Sequence, residues 1–188
     1  MQVSRKKYKT MRRNVLIFGL ILGAILATNV VIMMTMVYNN PEMQSNDVVG
    51  YAAMIVVFSL IFFGIRNYRD KELNGAITFG HAFKTGVLIA FLGSTLYVVV
   101  GLGYMYLAIP DFVDKYAMHV IIEAKRNGAT ESELAETTQQ MTQFKEQYKS
   151  PVFAIMVSYF EVFPIGLIVA LVSSLILKRK QLARPVEV

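Results

Sequence analysis

With 188 residues, 55% of them hydrophobic and only 17% charged, the chain falls well short of the ~25% charged usage of soluble domains. Its four long apolar stretches take up about half of its length, which excludes a soluble fold and leaves an all-α, polytopic membrane protein forming one membrane domain over 1–188. The absence of cysteine excludes disulfides, thiolate metal sites and cysteine nucleophiles, and the net charge of +6 comes with no nucleic-acid recognition module, so nucleic acid is not an expected partner.

Residues 1–13 form a basic tail carrying Arg5, Lys6, Lys7, Lys9, Arg12 and Arg13, followed by the first predicted span, 14–38. A secretory signal also begins with basic residues and an apolar run. This run is far longer than the ~7–15 residues of a signal, and no A-x-A-like cleavage site follows it. An uncleaved helix is predicted, with Tyr38 at the outer interface and Asn39, Asn40 and Pro41 ending it. The second predicted span, 48–65, is the shortest and still reaches ~27 Å, close to the ~30 Å of hydrocarbon. Its Phe58, Phe62 and Phe63 read as lipid-facing.

Between 66 and 85 a cytoplasmic loop is predicted. Asn74-Gly75 signals a turn and Thr78 caps an interfacial helix that dips Phe79 and Phe83 toward lipid. Tyr68, Arg69, Asp70, Phe79, Gly80 and Phe83 are its candidate contacts with a partner. The third span covers 86–109. Residues 110–151 then follow a helical pattern: Pro110-Asp111 opens a helix whose Val113, Ala117, Val120, Ile121 and Ala124 share a face, and Asn127-Gly128 ends it. Thr130 and Glu133 are spaced as a capping box for a second helix with a thinner stripe of Leu134, Met141, Phe144 and Tyr148, ended by Lys149-Ser150-Pro151. Two short amphipathic helices must bury their stripes against something, so a helical hairpin capping the outer mouth of a four-helix bundle is expected. The fourth span is 152–177 and the tail 178–188.

Orientation follows from basic residues. The N-terminal tail, the 66–85 loop (Arg66, Arg69, Lys71, Lys84) and the C-terminal tail (Lys178, Arg179, Lys180, Arg184) are all basic, whereas 39–47 has no basic residue and 110–151 has more acids than bases. The positive-inside bias puts both termini in the cytoplasm and the hairpin outside. Anionic lipid at the cytoplasmic face is the expected partner of these tails.

Small residues mark helix contacts in a bilayer, where lipid offers no hydrophobic drive for association. They recur as Gly19, Gly23 and Ala27, as Gly86, Ala90, Gly93 and Gly101, and as Gly166, Ala170 and Ser174. Packing within the bundle is the expected use, and a homodimer the alternative. Glu161 is the one acid or base inside any predicted span, and a charge there costs at least ~2.5–3.5 kcal/mol. Asn29 lies at similar depth and is the predicted hydrogen-bond partner of a protonated Glu161, with Pro164 freeing a backbone carbonyl nearby. Ser59, Ser94, Thr95 and Tyr97 extend the candidate polar core.

Four stretches resemble, in matching order, those of the DUF4199 family of bacterial integral membrane proteins, whose function is unknown. They are Gly64-Ile-Arg-Asn-Tyr-Arg-Asp-Lys-Glu-Leu-Asn-Gly75, Ile77-Thr-Phe-Gly-His-Ala-Phe-Lys-Thr-Gly86, Pro110-Asp-Phe-Val-Asp-Lys-Tyr116 and Phe160-Glu-Val-Phe-Pro-Ile-Gly166. The resemblance implies a four-helix inner-membrane protein and brings no catalytic residue, cofactor or substrate.

Enzyme motifs are missing: there is no G-x-S-x-G, H-E-x-x-H, P-loop or dinucleotide glycine signature. His81 and His119 fall on opposite sides of the membrane. His119 and Glu123, one turn apart, offer two ligands where a structural zinc needs four, and a solvated helix face is expected for them. The expectation is therefore no enzyme and no cofactor: an accessory or interaction protein of the membrane, with a membrane-protein partner. The alternative is a small proton-coupled carrier using Glu161.

Overall fold

The computed structural model describes residues 2–44 and 47–179, with side chains described over 10–44 and 50–179. Lys180 and Arg184 of the basic tail, and the side chains of Arg5, Lys6, Lys7 and Lys9, lie outside the described residues. The helices in chain order are α1 (Gln2–Asn39), α2 (Asp47–Phe58), α3 (Leu60–Glu72), α4 (Phe79–Ala108), α5 (Phe112–Arg126), α6 (Glu131–Tyr148) and α7 (Pro151–Leu177). Among the described residues there is no strand, only an isolated antiparallel bridge between Ile77 and Arg179.

Four segments are long and apolar enough to cross a membrane: Thr10–Asn39, Gly50–Glu72, Phe79–Ala108 and Pro151–Leu177. The second is α2 and α3 joined at Ser59, where the hydroxyl donates to the Val56 carbonyl at 2.6 Å and the Phe62 N–H reaches the Ser59 carbonyl. The ladder tightens locally there without turning the chain.

The predicted 66–85 loop contracts to residues 73–78. Arg66 to Glu72 continue α3, since these are adequate helix formers and Arg66 pairs with Asp70 one turn on (3.6 Å). The chain reverses where Asn74 (φ 53°) and Gly75 (φ 81°) adopt the left-handed conformation that favours these two residue types. Thr78 caps α4 by accepting the His81 N–H.

At the centre α4 packs along α1 on one side and α7 on the other, with α3 touching all three. The seams are built on small residues. A Cβ at Gly19 would press on Leu92, one at Gly93 on Leu22, and one at Gly166 on both Phe58 and Ala90. These stripes are used within the chain. Leu22, Phe58, Ile61, Ile65, Ile89 and Val162 are fully buried. Phe58 was expected to face lipid and instead fills the space that Gly166 leaves open; Phe63 does remain exposed.

Large apolar side chains such as Leu20, Ile32, Val99, Phe160 and Ile176 are 49–82% exposed around the spans. A continuous apolar exterior of this kind is not sustained in water and is what lipid would cover.

Candidate functional site

By helix rise, Glu161 on α7 and Tyr97 on α4 both lie ~15 Å from the ends of their helices nearest α5 and α6. There the Tyr97 hydroxyl and the Glu161 carboxyl face one another. Tyr97 is only 8% exposed, whereas Glu161 keeps an accessible surface, so the acid meets the tyrosine on its inner side and is reachable from outside the bundle. Pro164 has no N–H to offer the Phe160 carbonyl, which places an acceptor without its helical donor beside Glu161. On the neighbouring flank the Tyr159 hydroxyl donates to Thr95 Oγ1 at 2.8 Å. Ser94 is fully buried and its hydroxyl has no partner among the described residues, while Ser59 is occupied at the α2–α3 junction.

Asn29 is not brought to Glu161. It is exposed on α1, and α4 stands between α1 and α7. Depth along a helix matched; lateral order did not, and the partner at that depth is Tyr97.

The site connects to α6 through Tyr148, which lies beside Ser158 on α7 and whose phenol pKa is pushed up chiefly by burial. Tyr148 belongs to a chain of ring contacts running Phe112, Tyr116, Phe144, Tyr148, Phe153 at centroid separations of 4.8–6.2 Å. This chain fastens α5, α6 and α7 together, and Lys145 pairs with Asp114 beside it. The Thr130–Glu133 capping box forms in full, and the two Thr130 donors hold the Glu133 carboxyl below the usual carboxylate range.

α5 is tied to the end of α1 and to the connection after it as well. Tyr38 donates to Asp111 at 2.9 Å, and Arg126 donates to the Glu42 carbonyl at 2.7 Å. His119, expected on a solvated face, is 4% exposed because its Nδ1 meets the Pro41 carbonyl at 2.7 Å. A carbonyl only accepts, so Nδ1 carries the proton. Its Nε2 lies 3.6 Å from Glu123, and no cluster of three or more metal-binding side chains occurs among the described residues.

The candidate interaction residues near 66–85 divide. Tyr68 is 2% exposed and belongs to the core, and Arg69 is taken up by Asp70 (2.6 Å) and by the Leu177 carbonyl that ends α7 (3.4 Å). Phe79 and Phe83 stack at 5.7 Å, with Phe79 and Gly80 at the surface.

The sequence reading missed Asn14. It is 5% exposed, donates to the Gly64 carbonyl at 2.9 Å and accepts from Asn67 at 2.7 Å, clamping α1 to α3. A single amide at the start of an apolar run reads as a boundary, so only the pairing of Asn14 with Asn67 across helices would have revealed it.

The family model described as Protein of unknown function (DUF4199) matches residues 17–179. No curated protein and no solved structure matches the chain.

Proposed function

The chain belongs to the DUF4199 family, and on that premise we propose that it is a non-enzymatic accessory protein of the bacterial inner membrane. In this reading a four-span bundle with cytoplasmic termini displays α5 and α6 as an extracytoplasmic hairpin for contact with other envelope proteins. The topology is supported by charge: Arg12, Arg13, Arg66, Lys71, Lys84, Lys178 and Arg179 gather at the end of the bundle away from α5 and α6, as the positive-inside bias requires.

One observation carries the reading. No residue of α6 is fully buried and its stripe of Leu134, Met141, Phe144 and Tyr148 is half-buried, yet the helix is capped, ion-paired and tied through Phe144 and Tyr148 to α5 and α7. Ordering a helix costs ~1–2 kcal/mol of backbone entropy per residue, and one narrow stripe of α6 offsets that while its other faces stay open. A fixed helix with an open polar face is suited to presenting that face to another protein.

Complementation of a deletion strain tests this. Gln139→Arg with Gln143→Arg, on the exposed face of α6, should insert normally and fail to complement, while Glu161→Gln should insert and complement. The reverse pattern overturns the proposal.

A second reading, a small proton-coupled carrier, is favoured specifically by Glu161, an acid at mid-span with one inward partner and an accessible surface. Loss of a pH-dependent flux in Glu161→Gln vesicles would support it against the accessory role.

A further inference from the structure

Between α2–α3 and α7 runs a groove of about 520 Å³, within the ~300–1,000 Å³ range of small-molecule sites. One wall is Ile55, Ser59 and Phe62, and the other includes Ile168, Val172 and Ile176. The Ser59 hydroxyl is already satisfied by Val56, so the walls present hydrocarbon. Along α7 the lining runs from Ile165 to Ile176, ~16 Å of helix, a length that an extended acyl chain lying along the groove would follow.

Both walls end in cations at the same end of the bundle. On α3 the stripe Ile55, Ser59, Phe62 continues one turn on to Arg66. Past Ile176, α7 ends and the chain presents Lys178 and Arg179, whose backbone is pinned by paired hydrogen bonds between Arg179 and Ile77 at 2.8 and 3.0 Å. Arg66 has a 57% exposed side chain and lies 3.6 Å from Asp70, a carboxylate that Arg69 holds at 2.6 Å. Two guanidinium groups thus share the one Asp70 carboxylate, which leaves a net positive charge there among the described residues.

We infer that this groove is a binding site for an anionic phospholipid, with one acyl chain between α2–α3 and α7 and the phosphate against Arg66 and Arg179. The inference rests on the four-span placement and holds whether the protein is an accessory or a carrier. The donor chemistry suits a phosphate, since guanidinium pairs with it in a planar fork.

The chain has no tryptophan, so a single introduced one reports its lipid neighbours. Ile168→Trp lies at the groove and Val99→Trp on a lipid-facing surface of α4, at matched exposures of 62% and 63% in the native residues. The variants go into phosphatidylcholine vesicles containing a minor fraction of brominated phosphatidylglycerol. Quenching should be stronger at position 168 than at 99, and equal at both when the brominated lipid is phosphatidylcholine. Adding Arg66→Gln or Arg179→Gln should each cut the preference for the anionic lipid about fivefold. Equal quenching at the two positions, or a preference that neither arginine change moves, overturns the assignment. Val172→Trp provides a second reporter in the groove should Ile168→Trp not insert.

Discussion

Replacing Gly23 by alanine separates two effects that usually travel together. The new methyl would sit 2.7 Å from the Leu96 Cβ, an atom fixed to the α4 backbone and unable to swing away. An ordinary contact needs roughly 3.5–4 Å, so α1 and α4 must part by close to 1 Å along a seam that also holds Gly19 under Leu92 and Leu22 over Gly93. Overpacking of this kind costs ~1–3 kcal/mol, against a gain of ~0.5–1 kcal/mol from replacing a helical glycine with alanine. The net expectation for Gly23→Ala is a loss of ~1–2 kcal/mol. Around Gly103 on α4 the space that a methyl would occupy is open, with no neighbouring atom within 4 Å, so Gly103→Ala keeps the gain alone and should stabilise by ~0.5–1 kcal/mol. Reversible unfolding in mild detergent titrated with dodecyl sulfate, followed by far-ultraviolet circular dichroism, measures both. If the two variants shift the midpoint in the same direction, the interdigitated α1–α4 seam is wrong.

Asn14→Leu removes both bonds of the α1–α3 clamp and should cost ~1–2 kcal/mol in the same titration, while Asn14→Asp, which turns an acceptor toward the Gly64 carbonyl, should cost more. At the start of α6, the Thr130 amide and hydroxyl favour the ionised Glu133. A lowered carboxyl pKa contributes stability above the unfolded value of ~4.3 and loses it as pH falls through the folded value. The Thr130 amide resonance should therefore hold steady at neutral pH and move on acidification below the ordinary Glu range, and Glu133→Gln should abolish that movement.

What was legible in the sequence was local. The four apolar runs, the Asn74-Gly75 reversal, the Thr78 cap and the Thr130–Glu133 box each depend on a few neighbouring residues and on rules that hold in any fold. Helix limits were less legible, because Arg66 to Glu72 leave the hydrocarbon pattern without leaving the helix. Side-chain partners depended on which helices stand side by side. Glu161 and Asn29 share a depth, but nothing in either helix records that α4 lies between them, and the same blindness put Phe58 toward lipid and His119 toward water. Asn14 escaped notice because its significance lies in Asn67 and Gly64, about fifty positions on.

The fastenings differ in kind between the two ends of the bundle. At the basic end, the Asn14 clamp joins α1 to α3, Arg69 reaches the last carbonyl of α7, and the Ile77–Arg179 bridge ties the α3–α4 turn to the chain after α7. There α3 is bonded to both α1 and α7, and the turn before α4 is bonded to the chain after α7. At the opposite end Thr35 bonds with Tyr104 across α1 and α4 and Tyr159 with Thr95 across α7 and α4, and α5 adds bonds to residues 38–42, while α2 leaves Tyr51, Ile55 and Val56 exposed. Local opening is least costly where contacts are few, and α2 is the most sparsely packed helix of the spanning segments. A partner gripping α6 would act on the polar site through Tyr148 and Ser158, and the accessory and carrier readings converge on the same lever while differing in which end of it does the work.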